Sequence, residues 1–291
     1  MWLSQEKTKK EVDADIKGMI YERMPVKDML TKGWLKPFNS VNELAQQVIS
    51  FWGWNKLDFL ILDEQYLPCL TRKSDAWNQF NASYAVTWYR KALNEADHFT
   101  HLPYKKQKLE KIFEKLHTYT IDETGINQFI KELEGAGVIF FVLPHLQKTY
   151  LDGAAFFSGK NPVIVYTGRY KRIDNFWFTV AHEIVHVLNH LDDETPFVLD
   201  NLKAGDINKM ETKANKLAAD RLKHTQILSY LEPYLGYLTT SRVEECAAEY
   251  KIHPSIIIGK LAHEKKISYS NQTLYNENVL QYIQTQYQVG K

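Results

Sequence analysis

The stretch FTVAHEIVHVLNH, residues 178–190, constrains this chain more than any other. It holds His182, Glu183 and His186 in the spacing H-E-x-x-H. On a helix, residues four apart share a face, so both imidazoles can point at one metal ion. Glu183, next to the first histidine, can reach a water at that metal. The combination points to zinc-dependent peptidase chemistry. The bare motif would arise by chance in roughly 2 of 100 chains of this composition, so its context decides. That context is helical. Ile173, Phe176, Trp177, Val180, Ile184, Val187, Leu188 and Leu191 fall on one stripe at about 100° per residue. His182 and His186 lie roughly opposite the stripe and Glu183 lies beside them. A core histidine would sit on the stripe. This helix has one face for packing and another for chemistry.

The chain around the motif narrows the class. Its 291 residues can bury a substantial core, in one large domain or two smaller ones. The formal net charge of +1 provides no global basic field for nucleic acid. Cys69 and Cys246 form no C-x-x-C pair, and two thiols in such a chain point to a reducing compartment. The N-terminal MWLSQEKTKKEVDADIKG is charged and lacks the apolar core of a signal peptide. No apolar run reaches the roughly 18 residues of a membrane span. A cytoplasmic location is expected.

In order, the first 120 residues read as all-helical. Val12, Ile16, Ile20 and Met24 recur four apart; Pro25 suits a helix start and Gly33 its end. Ser40 reads as an N-cap with Glu43 at the capping-box position, and Gly53 ends that helix. The apolar run 57–70 is ambiguous between strand and helix. Long helices are expected over 75–99, with Trp77, Phe80, Tyr84 and Trp88 as core, and over 102–120. In the latter, Lys105, Lys106, Lys108 and Lys111 make a solvated face. A short helix over 122–137 follows. Then GVIFFVLP, LDGAAFFSG and NPVIVYTG are apolar runs of strand length, bounded by glycine, proline, aspartate and asparagine. They predict strands at 138–143, 151–157 and 163–167 in a small, mostly antiparallel sheet. The fold class is α+β, with a helical region over 1–120 and the H-E-x-x-H unit over 121–291. The strand LDGAAFF could offer an edge to an extended substrate, with Gly153 and Ala154 allowing close approach, or be a plain core strand.

Two histidines do not hold a catalytic zinc, which takes three protein ligands and one open position. Downstream, Met210, Ala214, Leu217, Ala218 and Leu222 mark another helix. Glu211 on that helix is the candidate third ligand. Asn215, one turn later, could accept a hydrogen bond from the far nitrogen of a ligand histidine and fix its tautomer. Asp220, Glu194 and Asp200 are rivals. His190, four residues past His186, is either an outer hydrogen-bond partner or a ligand in another arrangement. The longer H-E-x-x-H-x-x-G-x-x-H pattern is absent, since Asn189 and Asp192 do not fit it. For the second donor to the oxyanion, the candidates are Tyr170, Arg172, His190 and His224.

The H-E-x-x-H helix followed by E-x-x-A-N-x-x-A resembles the ImmA/IrrE family of metallopeptidases. The order LDGAAFF, PVIVYTGRYKRIDNFWFTVAHEIVHVLNH, ETKANKLAADRL and YKIHPSIIIGKLAHE resembles the peptidase-like half of proteins in which that domain follows a HigA-type antitoxin module. The resemblance implies a zincin-like peptidase domain, with zinc on His182, His186 and Glu211 and Glu183 as general base. It also implies cleavage of a specific protein partner, often a helix-turn-helix repressor, in stress response or mobile-element induction; an antitoxin or toxin is another partner of this kind. Fused relatives begin with a DNA-binding helix-turn-helix, and residues 1–40 contain none that is convincing. A different reading is a metal-stabilised, non-catalytic module that binds a regulator without cutting it. A third is DNA binding by the helical pair in 242–267. There Ile256, Ile257 and Ile258 are apolar where a recognition helix needs polar readers, which favours a core-closing pair.

Overall fold

The apolar runs bounded by glycine, proline and asparagine form a sheet, and every other element is mounted on its two faces. A computed structural model describes residues 8–65, 79–147, 149–192, 197–199, 209–268 and 276–290. Strands β1 (Ile139–Val142), β2 (Gly153–Ser158), β3 (Asn161–Tyr166) and β4 (Phe197–Leu199) lie in the order β1-β3-β2-β4. β2 is antiparallel to both neighbours, and β1 is parallel to β3. The β2–β3 hairpin turns through Gly159 and Lys160, with Gly159 at φ +59, the left-handed backbone such a two-residue loop demands.

Two details differ from expectation. β4 was not anticipated, because three residues are too few to carry an alternating pattern. Its pairing with Ala154–Phe156 also means that LDGAAFF is an interior strand. It has no free edge there to offer a substrate, and the Ala154 side chain is buried in the core.

The pleat sends alternate side chains to opposite faces. Ile139, Phe141, Ala154, Phe156, Val163 and Val165 face the N-terminal helices. These are α1 (Lys9–Arg23), α2 (Val26–Thr31), α3 (Val41–Trp52), α4 (Leu60–Gln65) and α5 (Gln79–Ala96), with Ile20, Met29, Leu44, Val48 and Trp88 at the centre of that core. Ser40 caps α3 by accepting the Glu43 N–H at 3.2 Å. The Glu43 carboxylate takes the N–H of Asn39 at 2.7 Å, one residue before the box position. The α3 helix ends at Gly53 in left-handed conformation. Trp77, Cys69, Glu194 and Asp200 lie outside the described residues, as does much of 57–70.

Phe140, Val142, Ala155, Ile164 and Tyr166 face the other way, into a second core. The helix expected over 102–120 is two here, α6 (Lys106–Glu114) and α7 (Leu116–Tyr119), separated at Lys115. Their Leu109, Ile112, Phe113 and Leu116 belong to this second core, while the lysines of α6 stay exposed. α8 (Thr124–Gly135) joins them.

The motif helix α9 (Ile173–Asn189) crosses this face. Its stripe residues Ile173, Phe176, Trp177, Val180 and Ile184 are buried against the sheet and α8. Its opposite face is covered too, by α10 (Lys209–Arg221). Ala214 and Ala218 are fully buried, and their small side chains let α10 approach closely. After α11 (His224–Leu231), the pair α12 (Thr240–Tyr250) and α13 (Pro254–His263) closes the core, with Ile256, Ile257 and Leu261 buried and α13 packed on α9. Among the described residues, no helix is long and apolar enough to cross a membrane.

Ala218 is fully buried in the contact between α9 and α10, so Ala218→Leu should destabilise the protein by about 1–3 kcal/mol, read as a lower urea midpoint at unchanged slope. Wild-type stability in that variant would mean that α10 does not pack this closely.

Candidate metal centre

α9 and α10 bring three side chains to one point. The Nε2 atoms of His182 and His186 lie 2.8 Å apart. The Glu211 carboxylate faces both, with Oε2 at 3.2 Å from His182 Nε2 and Oε1 at 3.6 Å from His186 Nε2. One donor atom from each residue lies within 4.8 Å of the others. Helical spacing explains the histidines, since His182 and His186 stack one turn apart. Glu211 is delivered from the first turn of α10. Both histidines are buried, and Glu211 keeps partial exposure.

The back nitrogens are also held. His182 Nδ1 lies 3.0 Å from Asn215 Oδ1, one turn beyond Glu211 on α10. A carbonyl oxygen only accepts, so Nδ1 carries the proton and Nε2 presents its lone pair to the cluster. His186 Nδ1 lies 2.9 Å from Nδ1 of His190, which ends the helix. Burial pushes the His186 pKa down to about 4, against the pull of Glu211, so the ring is neutral at pH 7. Burial opposes ionisation of Glu211, but its contacts with the His182 and His186 rings outweigh it and hold its carboxyl well below the usual range. Two neutral imidazoles and one carboxylate are the protonation states that metal binding requires. The donor set therefore fits a metal ion.

Glu183 is not one of the three donors. It is fully buried, one residue round the helix from His182, and its carboxylate lies over the start of β2. A β-carbon at Gly153 would fall 2.6 Å from Glu183 Oε1 and 2.6 Å from Thr179 Cγ2. The glycine that opens β2 thus makes room for this carboxylate. Of the two readings of LDGAAFF, a substrate edge or a plain core strand, neither places a carboxylate here; the Asp-Gly pair opening the strand is the available signal.

The remaining candidates separate. Tyr170 and Arg172 are not at the cluster. Arg172 caps α9 ten residues before His182, about 15 Å along the helix axis. Its guanidinium binds Asp174 through Nε at 2.9 Å and Nη2 at 3.0 Å. Tyr170 is exposed, stacked by the guanidinium groups of Arg169 and Arg172. His224 lies outside the three-residue cluster, stacked face to face on Phe178 with ring centroids 5.8 Å apart. Asp220 is nine residues past Glu211 on the same helix, about 13 Å away along its axis, and does not join the cluster.

Residues 134–261 match the model of the Peptidase_M78 family, described as the IrrE N-terminal-like domain. The match spans less than half of the chain, and over it the chain is similar to that family. The IrrE N-terminal-like domain runs from the end of α8 to α13 and includes all three members of the cluster. The similarity suggests a metallopeptidase-like domain and supports a peptidase-type enzyme. Among curated proteins, none matches the chain.

His224 provides a pH test beside the site. Burial lowers its pKa to about 3, so the unfolded chain binds the proton more tightly. Stability is present above the unfolded value near 6.5 and is lost as pH falls below it. Between pH 7.5 and pH 5 this one group should cost about 2 kcal/mol. His224→Phe, which keeps the stack on Phe178, should flatten the fall in stability over that range. An unchanged pH profile in that variant would show that His224 is not buried as a neutral ring.

Proposed function

We propose that this chain is a zinc-dependent endopeptidase that cuts a specific protein partner in the cytoplasm, a regulator such as a helix-turn-helix repressor or an antitoxin. The observation that carries this reading is the convergence of His182 Nε2, His186 Nε2 and the Glu211 carboxylate, with the His182 tautomer set by Asn215. Two imidazoles and one carboxylate are a ligand set suited to zinc. Zinc bound there would polarise the substrate carbonyl and make water a nucleophile at neutral pH.

The protein's own residues supply the rest. With its Nε2 committed, His186 donates from Nδ1 to Nδ1 of His190, whose own proton then sits on Nε2. Glu183 takes the proton from the attacking water and delivers it to the leaving amide nitrogen. Its burial against Gly153 and Thr179 leaves the carboxylate little freedom, so its aim is preset. The identity of the partner as a regulator rests on the likeness of residues 150–262 to the peptidase-like half of antitoxin fusions. Nearly all of this stretch falls in the domain matched to the peptidase family.

Glu183→Gln should keep one zinc per chain and lower cleavage of the partner by about 10²–10⁴-fold. Glu211→Ala and His186→Ala should lose the zinc, measured by elemental mass spectrometry on metal-replete protein. A zinc-loaded wild type that binds the regulators encoded beside it and leaves them intact would overturn the enzyme reading in favour of a binding module. Unchanged zinc in Glu211→Ala would remove Glu211 from the ligand set.

Gly153→Ala separates the base from the metal. Its β-carbon must displace Glu183 or Thr179, so cleavage should fall at least about tenfold while zinc content stays at the wild-type level. Full activity in this variant would mean that the position of Glu183 over Gly153 is not the working one.

A further inference from the structure

A second cavity, of about 520 Å³, opens at the carboxyl ends of the parallel strands β1 and β3. It lies apart from the three-residue cluster. One wall is the loop after β3, with Thr167, Gly168 and Arg169; another is α2 and its end, with Asp28 and Lys32. The C-terminal segment closes it. Val289 N–H bonds the Val142 carbonyl at 2.9 Å, and Trp34 Nε1 donates to the Gly290 carbonyl at 3.2 Å. The cavity is therefore built from three distant parts of the chain, tied together by main-chain and side-chain hydrogen bonds.

The lining combines cationic and apolar residues. Lys32, Arg169 and Lys171 line it against a single carboxylate, Asp28. Asp28 already accepts the Gln147 N–H at 2.8 Å. Arg169 is answered by the buried Asp152 outside the cavity, at 3.1 Å, and also donates to the Tyr150 carbonyl. Among the described residues no ion pair is formed by Lys32 or Lys171, which leaves two positive charges at the cavity unneutralised. Val142, Leu280 and Val289 supply the apolar wall. A volume of this size is in the range that holds a small organic ligand.

We propose that this cavity binds a small organic anion, with a carboxylate or phosphate head between Lys32 and Lys171 and an apolar or planar body against Val142, Leu280 and Val289. The site is independent of the proposed hydrolysis. Arg169 connects it to the Glu183 region, because Asp152, the partner of Arg169, precedes the glycine that makes room for Glu183.

The test uses the full chain and three probes: phenyl phosphate, phenylacetate and inorganic phosphate, each titrated by calorimetry and by ligand-observed NMR. Phenyl phosphate, phenylacetate or both should bind saturably at one site, more tightly than inorganic phosphate because only they have a body for the apolar wall. Which of the two binds more tightly distinguishes a phosphate from a carboxylate head. Lys32→Met combined with Lys171→Met should weaken binding by roughly tenfold or more. Lys105→Met with Lys108→Met, on exposed α6, should leave it unchanged. Absence of saturable binding by both aromatic probes would overturn the proposal, as would equal binding in the Lys32/Lys171 variant or equal loss in the Lys105/Lys108 variant.

Discussion

The arrangement depends on how closely α10 lies against α9. The two histidines come from one helix and cannot by themselves surround an ion. The third donor arrives only if a second helix passes within side-chain reach, and Ala214 and Ala218 make that approach possible. One turn of α10 then does two jobs. Glu211 faces both Nε2 atoms, and Asn215 holds the opposite nitrogen of His182. Position and protonation state are set by the same contact.

Burial makes this contact chemically useful. In water, histidine would be partly protonated near neutral pH and glutamate would be loosely hydrated. Here desolvation keeps His186 neutral, while the contacts with the two imidazole rings keep Glu211 charged against the same desolvation. The packing energy of the apolar stripe offsets the cost of holding His182, Glu183 and His186 out of water. The sheet contributes beyond serving as a floor. Gly153 opens β2 where Glu183 turns inward, so the strand start and the carboxylate fit as one unit.

Much of this was legible in the residue order. The four-residue histidine spacing, the apolar stripe of α9, the strand-length runs and the Ala-Asn pattern around Glu211 are local features with fixed periods. Other positions are decided by contacts distant in the chain. Tyr170 and Arg172 are near the motif in sequence but sit at the far end of a 17-residue helix. Arg172 spends its charge on Asp174. The strand LDGAAFF looked able to receive a substrate until Phe197–Leu199 paired with it, and three residues carry no readable alternation. Residues 106–119, expected with the N-terminal helices, send their apolar side chains into the core of the motif helix.

By itself the sequence determined the candidate donors, the helices that bear them and the faces on which they lie, because helical and strand periods are properties of neighbouring residues. Only the tertiary structure decided which carboxylate meets the histidines, which nitrogen each imidazole presents and what occupies the space at Gly153. Those depend on the approach of separate elements, α10 to α9 and β2 to α9, and that approach is set by packing among residues far apart in the chain.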